Sequence, residues 1–283
     1  MELRLLDAVS LADLPSGSGI EWMDGHYYIC SDDSPVLYKV DAGGTTVDQI
    51  QIFDWALDGR IPKAFKPDFE AMVSIGPEIW VFGSGSLASR DVLVKVNLAT
   101  KAIHTFSLTL FYDAFCRLAG IQKEQLNIEG AAVHGEQLLL LNRGNNCMYR
   151  FALADFTSCV EQNGVFPDVV VQRYNLPFVD GCVAGFSGAT VLGDDLIFCA
   201  SLEKTKDWIN DGEILGSFIG LIHLCENSEE IADCVQLKQG NEVFLGKIEG
   251  LCVTEKSEKQ VMLSAICDND DGRSTLLTIK MSL

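Results

Sequence analysis

Positive charge is scarce in this sequence: 21 Lys and Arg stand against 40 Asp and Glu, a formal net charge of −19. Nucleic-acid backbones and anionic membranes favour basic surfaces, so neither is an expected partner. No apolar run reaches the ~20 residues that span a bilayer. No charged segment followed by an apolar one opens the chain, and a cytoplasmic protein is expected. The ten cysteines contain no Cys-x-x-Cys pair. Cys30, Cys199, Cys225, Cys252 and Cys267 sit within or beside apolar runs, which reads as free thiols acting as small hydrophobes in a reducing compartment. A Gly-x-Ser-x-Gly elbow is missing, and Gly83-Ser84-Gly85-Ser86 precedes no helical pattern, so neither a serine-hydrolase elbow nor a phosphate cradle is read here. The four histidines, His26, His104, His134 and His223, fall in strand or turn positions and make poor catalytic bases.

What the chain does have is a short phrase that returns five times. It reads Ser18-Gly19-Ile20, Glu70-Ala71-Met72, Glu129-Gly130-Ala131, Ser187-Gly188-Ala189 and Glu249-Gly250-Leu251, at steps of 52, 59, 58 and 62 residues. After each phrase come short runs rich in Val, Ile, Leu, Phe and Tyr, separated by Gly, Asp, Asn, Ser and Pro. Four short strands per unit at a period of roughly 50–60 residues is the signature of β-propeller blades. The fifth unit has only three runs, and the missing outer strand is supplied by Leu3 to Leu11 at the other end of the chain. The expectation is an all-β single domain over 1–283: a propeller of five four-stranded blades closed by the N-terminal strand. The alternative is six blades, with Asp113 to Leu126 hiding a degenerate unit. That stretch also carries Phe115, Leu118 and Ile121 at helical spacing and reads as a helical insertion. Lys204 to Ser217 reads as a long polar insertion in the fourth unit.

Topology locates the candidate site. In an up-and-down blade the first strand starts at the face where the second ends, so the phrases and the polar loops after each second strand share one face near the axis. Glu70, Glu129 and Glu249 then point into one opening, where their repulsion needs a cation or a shared proton. Oxygen donors suit Ca²⁺ most, with Mg²⁺ or Mn²⁺ as alternatives, and Asn142 and Asp268 complete a candidate ligand set. The opposing reading is that each Glu accepts backbone N–H bonds between blades. Arg90 and Arg143, with Ser84 and Ser201, are candidate contacts to a small-molecule substrate; for the two arginines, ion pairs that hold the loops are the equal alternative. Glu203, Asp207, Asp211 and Glu213 form an acidic stretch that does not match an EF-hand loop. Asp270 and Asp271, followed by Gly272, read as turn residues.

The motifs Ile128-Glu129-Gly130-Ala131, Ile248-Glu249-Gly250-Leu251, Gly83-Ser84-Gly85-Ser86 with Arg90-Asp91, Asn142-Arg143-Gly144-Asn145, and Ala200-Ser201 with Asp211-Gly212 and Gly216-Ser217 give the chain a family likeness. It resembles bacterial phytase-like propellers ("esterase-like activity of phytase"), and more distantly regucalcin and gluconolactonase propellers, which hold one divalent ion in the channel and have six blades. The resemblance implies a propeller with a channel metal. Two functions follow as expectations: a divalent-metal-dependent hydrolase of a small ester, lactone or phosphoester, or a non-enzymatic propeller that binds a small ligand or a protein partner.

Overall fold

The computed structural model describes residues 1–56, 60–162, 164–204, 212–224, 231–269 and 272–282. Cys225, Asp207, Asp211, Asp270 and Asp271 lie outside them. The described chain folds into five four-stranded antiparallel sheets. Their opening strands are Gly17–Met23, Phe69–Ile75, Ile128–His134, Gly185–Leu192 and Lys247–Lys256. These five pack against one another in a closed circle, the fifth against the first. The last blade takes its outer strand, Glu2–Leu11, from the start of the chain, paired along its length with Ser274–Ser282. This is the five-bladed propeller that the repeat predicts, and the six-bladed alternative falls: the segment that would have held a sixth unit is helical.

That helix is α1, Thr109–Ala119, ended by Gly120 in a left-handed conformation (φ 65°). It begins earlier than the apolar spacing indicates and uses a different face. Phe111, Tyr112, Ala114 and Phe115 are buried, while Leu118 is 53% exposed. Aromatic stacking decides the face: Phe115 lies 4.2 Å from the Tyr149 ring, near parallel, and Phe111 meets Phe156 of α2 (Leu153–Gln162) at 4.7 Å. The polar insertion of the fourth unit is also partly strand. Asp195–Lys204 and Glu213–His223 extend past the other blades, pairing as far as Lys204 and Glu213.

The apolar core is divided into five clusters, one at each interface between neighbouring blades. Each buries Leu, Ile, Val and aromatic side chains from facing sheets, at roughly 1.5–3 kcal/mol for a fully buried large side chain. The cluster that joins the last blade to the first contains Leu11 of the closing strand with Ile20, Cys252, Ile266 and Leu276. Cys30, Cys199, Cys252 and Cys267 are buried free thiols, as their sequence setting indicates.

The recurring phrase marks a structural device. In every opening strand the pairing register shifts across its first residue: between Gly17 and Gly19, Phe69 and Ala71, Ile128 and Gly130, Phe186 and Gly188, and Ile248 and Gly250. Ser18, Glu70, Glu129, Ser187 and Glu249 are thus the extra residues of five β-bulges, and a bulge re-aims its side chain. The second residue is small because the strands crowd at the axis. A Cβ on Gly188 would stand 2.8 Å from the Gly250 Cα.

Candidate functional site

The bulges open onto a cavity of about 480 Å³ on one face of the ring. Beneath it the axial channel narrows to about 10 Å³, lined by the phrase residues themselves. That is about the space of a single water, so the cavity is a closed-bottomed bowl.

The Ser copies of the phrase fasten blades together. Ser18 Oγ donates to the Phe69 carbonyl at 2.5 Å, and Ser187 Oγ donates to the Ile248 carbonyl at 2.6 Å. The Glu copies face the bowl. Glu129 and Glu70 line it, and Glu249 lines the channel at its floor. Arg90, Arg143, Ser201 and Asp268 also line the bowl. Ser84 and Asn142 are not among its lining residues. Ser84 Oγ donates to Asp68 Oδ2 at 2.5 Å. Asn142 is fully buried and bonds the Asn127 N–H and the Gln125 carbonyl, so it holds a loop together. The residue that reaches the bowl from that loop is its neighbour Arg143.

Two clusters, each of carboxylates paired with cations, form the site. In the first, Arg143 bridges Glu129 (2.9 Å) and Glu203 (2.7 Å), while Lys247 bridges Glu249 (2.8 Å) and Glu203 (3.4 Å). Arg143 lies across Gly185, where a Cβ would stand 2.5 Å from its Cγ. In the second, Arg90 pairs with Asp68 (2.6 Å), and Lys66 pairs with both Asp68 (2.7 Å) and Asp32. Each cluster sets three carboxylates against two cations. The difference lies in how the third carboxylate is treated. Every carboxylate of the first cluster touches a cation. Glu70, in the second, makes no hydrogen bond and no ion pair among the described residues, and one of its oxygens lies within 4.8 Å of one oxygen each of Asp32 and Asp68. Asp32 Oδ1 beside it is buried and unbonded.

The protonation equilibria follow this arrangement. Burial, then the charges of Asp68, Asp32 and Glu129, lift the Glu70 carboxyl well above the ordinary carboxylate range. Burial also raises Asp32, Glu129 and Glu249, against the opposing pull of Lys66 on the first and of Arg143 and Lys247 on the other two. For Glu203 burial is outweighed by Arg143 and Lys247, and its carboxyl is lowered.

The sequence reading named the acidic phrase residues but passed over their strongest neighbours. Ser16, Asp68, Asn127, Gly185 and Lys247 all line the bowl, and each stands two residues before the first residue of its phrase. The two-residue period of a strand, carried back one step, was the signal. Lys66, Arg60 and Lys63 enter from the long loop before the second phrase, where no period operates.

The fold is shared with several solved structures. Glutaminyl cyclase from Myxococcus xanthus superposes with a TM-score of 0.56 at 9% identity, over 98% of this chain and 96% of that one. An endo-arabinase from Bacteroides thetaiotaomicron gives 0.53 at 12% identity, over 95% of both chains. A tail fibre of a Staphylococcus aureus phage gives 0.52 at 13% identity, over 100% of this chain and 53% of that one. At such identities the likeness shows the fold alone, and none of the three is a phytase-like or regucalcin propeller. No curated protein matches the chain in sequence. A protein-family match covers residues 13–281, and on that evidence the chain belongs to the family described as "Family of unknown function (DUF6929)".

Proposed function

We propose that the bowl is the active site of a hydrolase for a small ester, lactone or phosphoester, assisted by a divalent cation held by Asp32, Asp68 and Glu70. The observation that carries this reading is the unpartnered Glu70, set against its counterparts Glu129 and Glu249, which Arg143 and Lys247 already neutralise. The donor set fits a cation at Asp32, Asp68 and Glu70 and not at Glu129, Glu203 and Glu249. Asp32 Oδ1 is a buried oxygen with no partner, and an all-carboxylate set is that of a hard cation such as Ca²⁺, Mg²⁺ or Mn²⁺. The space between Glu129, Glu203 and Glu249 is filled by Arg143 and Lys247. The candidate ligand set read from sequence therefore narrows to Glu70, with Asp32 and Asp68 in place of Glu129, Glu249, Asn142 and Asp268.

A bound cation would polarise a carbonyl or phosphoryl oxygen and acidify a water. The chain's own residues do the rest. Arg143 and Lys247, fixed by their three glutamates, present rigidly held N–H donors that orient the substrate's polar end. Arg90, held by Asp68 at 2.6 Å and by Ser86 at 2.7 Å, borders the cation seat. A bowl of about 480 Å³ falls within the range of about 300–1,000 Å³ usual for small-molecule sites. The phytase-like motifs of the sequence support the same substrate classes.

The test is a panel of esters, lactones and phosphoesters with Ca²⁺, Mg²⁺ or Mn²⁺. Glu70→Gln is expected to lower kcat/KM on the active class by at least about a hundredfold, the scale seen when a single group acting on the transition state is removed. Turnover that survives both this change and a chelator contradicts the mechanism. A second reading, a binding propeller without catalysis, is favoured by one observation. The hairpin whose Gly181, Cys182 and Val183 line the bowl carries exposed Phe178 and Val183, and Phe65 beside Lys66 is also exposed. Under that reading the panel gives no turnover with any cation, and an amphiphilic ligand binds with its apolar part on this rim.

A further inference from the structure

We infer that Lys66 is an internal counter-ion which a divalent cation displaces, and that the freed ammonium then holds the anionic end of the substrate. This rests on the cation seat proposed above and assigns a positioning role to a residue outside the ligand set.

Four observations support it. The Lys66 ammonium contacts Asp32 and lies 2.7 Å from Asp68 Oδ1, two of the three carboxylates that each place one oxygen within 4.8 Å of the others'. An ammonium and a divalent cation in one such triangle repel strongly, so only one can occupy it. The Lys66 backbone is tied in a turn, its N–H bonded to the Pro62 carbonyl at 3.1 Å, so the ammonium moves by rotation of its four-carbon stem. The same side chain lines the bowl, which has room to receive it.

The other cations of the bowl do not share this freedom. Arg143 and Lys247 are each bonded to two glutamates that no incoming ion replaces for them. Arg90 is held by Asp68 and Ser86 and pairs with one member of the triangle only. Lys66 alone among these four pairs with two members of the open triangle. Removing it from them is compensated by the very ion that displaces it. Loading the seat therefore converts a neutralising lysine into an anion-binding one, and cation and anion bind cooperatively. The chemical class implied for the substrate is a small molecule bearing a phosphate or carboxylate.

Isothermal titration of the full chain with Ca²⁺ and with inorganic phosphate tests the coupling. The native protein should bind phosphate about tenfold more tightly at saturating Ca²⁺ than without it, within the usual range of coupling between sites. Lys66→Met removes the competing ammonium. It should bind Ca²⁺ about tenfold more tightly than the native protein and lose the coupling, a gain that damage to the fold does not produce. Equal Ca²⁺ affinities in the two proteins, or coupling retained by Lys66→Met, overturn the role of Lys66 and leave the cation seat standing. Coupling that persists in Glu70→Gln reports calcium phosphate association in solution and also overturns it. Absence of Ca²⁺ binding in both folded proteins overturns the seat itself, and this inference with it.

Discussion

At the scale of single residues, burial without a counter-charge is the recurring cause of unusual behaviour. Glu21, in the opening strand of the first blade, accepts a hydrogen bond from Ser74 Oγ at 3.0 Å. Burial pushes its carboxyl from 4.5 up to about 7, with the Ser74 bond opposing. The folded state then holds a proton that the unfolded chain has released. Stability therefore falls as pH rises from 4.5 to about 7, and the whole penalty is present above that. Its size is about 3 kcal/mol. Glu21→Gln keeps the hydrogen bond and removes the charge. It should raise the melting temperature at pH 8 and leave it unchanged at pH 4, both read from thermal melts. An equal change at the two pH values contradicts the role of burial. The bowl obeys the same rule, and that explains what was legible there. Glu70, Glu129 and Glu249 could be picked out because a repeat places like residues at like positions. Arg143 and Lys247 could not be assigned as their counter-ions, because which carboxylate a cation reaches depends on side-chain paths across blades. The Asn142–Arg143 pair shows the limit most sharply. Asn142 ends the second strand and Arg143 opens the turn after it; the first turns under the loop and the second into the bowl, and a repeat of roughly fixed length does not resolve a difference of one residue.

At the scale of elements, the strand count was legible because each blade repeats the same alternation of apolar runs and turn residues. The closing strand was legible for a simpler reason: three runs in the fifth unit left one vacancy, and one strand at the start of the chain was unassigned. Deleting residues 1–11 is expected to lower the melting temperature strongly and to promote self-association, because it strips Leu11 from the interface between last and first blades and leaves Ser274–Ser282 as an open edge. A truncated protein with unchanged melting temperature, monomeric by size-exclusion chromatography, contradicts closure by that strand. The helices were harder to read. Leu153–Gln162 follows the third strand of its blade directly, with no Gly or Pro between them, so nothing punctuates the change from strand to helix. In α1 the stacking of Phe111 and Phe115 on aromatics from the third blade and α2 sets the buried face, and such tertiary contacts leave no trace in local periodicity. The extended hairpin of the fourth blade was hidden because Glu203, Lys204 and Glu213 have the polarity of a loop, whereas in the structure Glu203 is buried against Arg143 and Lys247 and Lys204 and Glu213 are exposed, where a paired strand tolerates charge.

At the scale of the whole molecule, the distribution of charge is the main clue. The chain has 21 Lys and Arg in all, and six of them, Arg60, Lys63, Lys66, Arg90, Arg143 and Lys247, line one bowl. Eight carboxylates line the same bowl, so these cations answer buried negative charge, and among the described residues Glu70 makes no ion pair with any of the six. Among the described residues no helix is long and apolar enough to cross a membrane. Asp32, Asp68 and Glu70 are the proposed seat of a divalent cation. The most direct test of that seat is anomalous diffraction from crystals of the native protein grown with Mn²⁺. One anomalous peak is expected, bonded to oxygens of all three carboxylates at the ~2.0–2.6 Å of hard-cation coordination, with the Lys66 ammonium moved off Asp32 and Asp68. A bowl without such a peak at saturating Mn²⁺, or a peak between Glu129 and Glu249 instead, would contradict it.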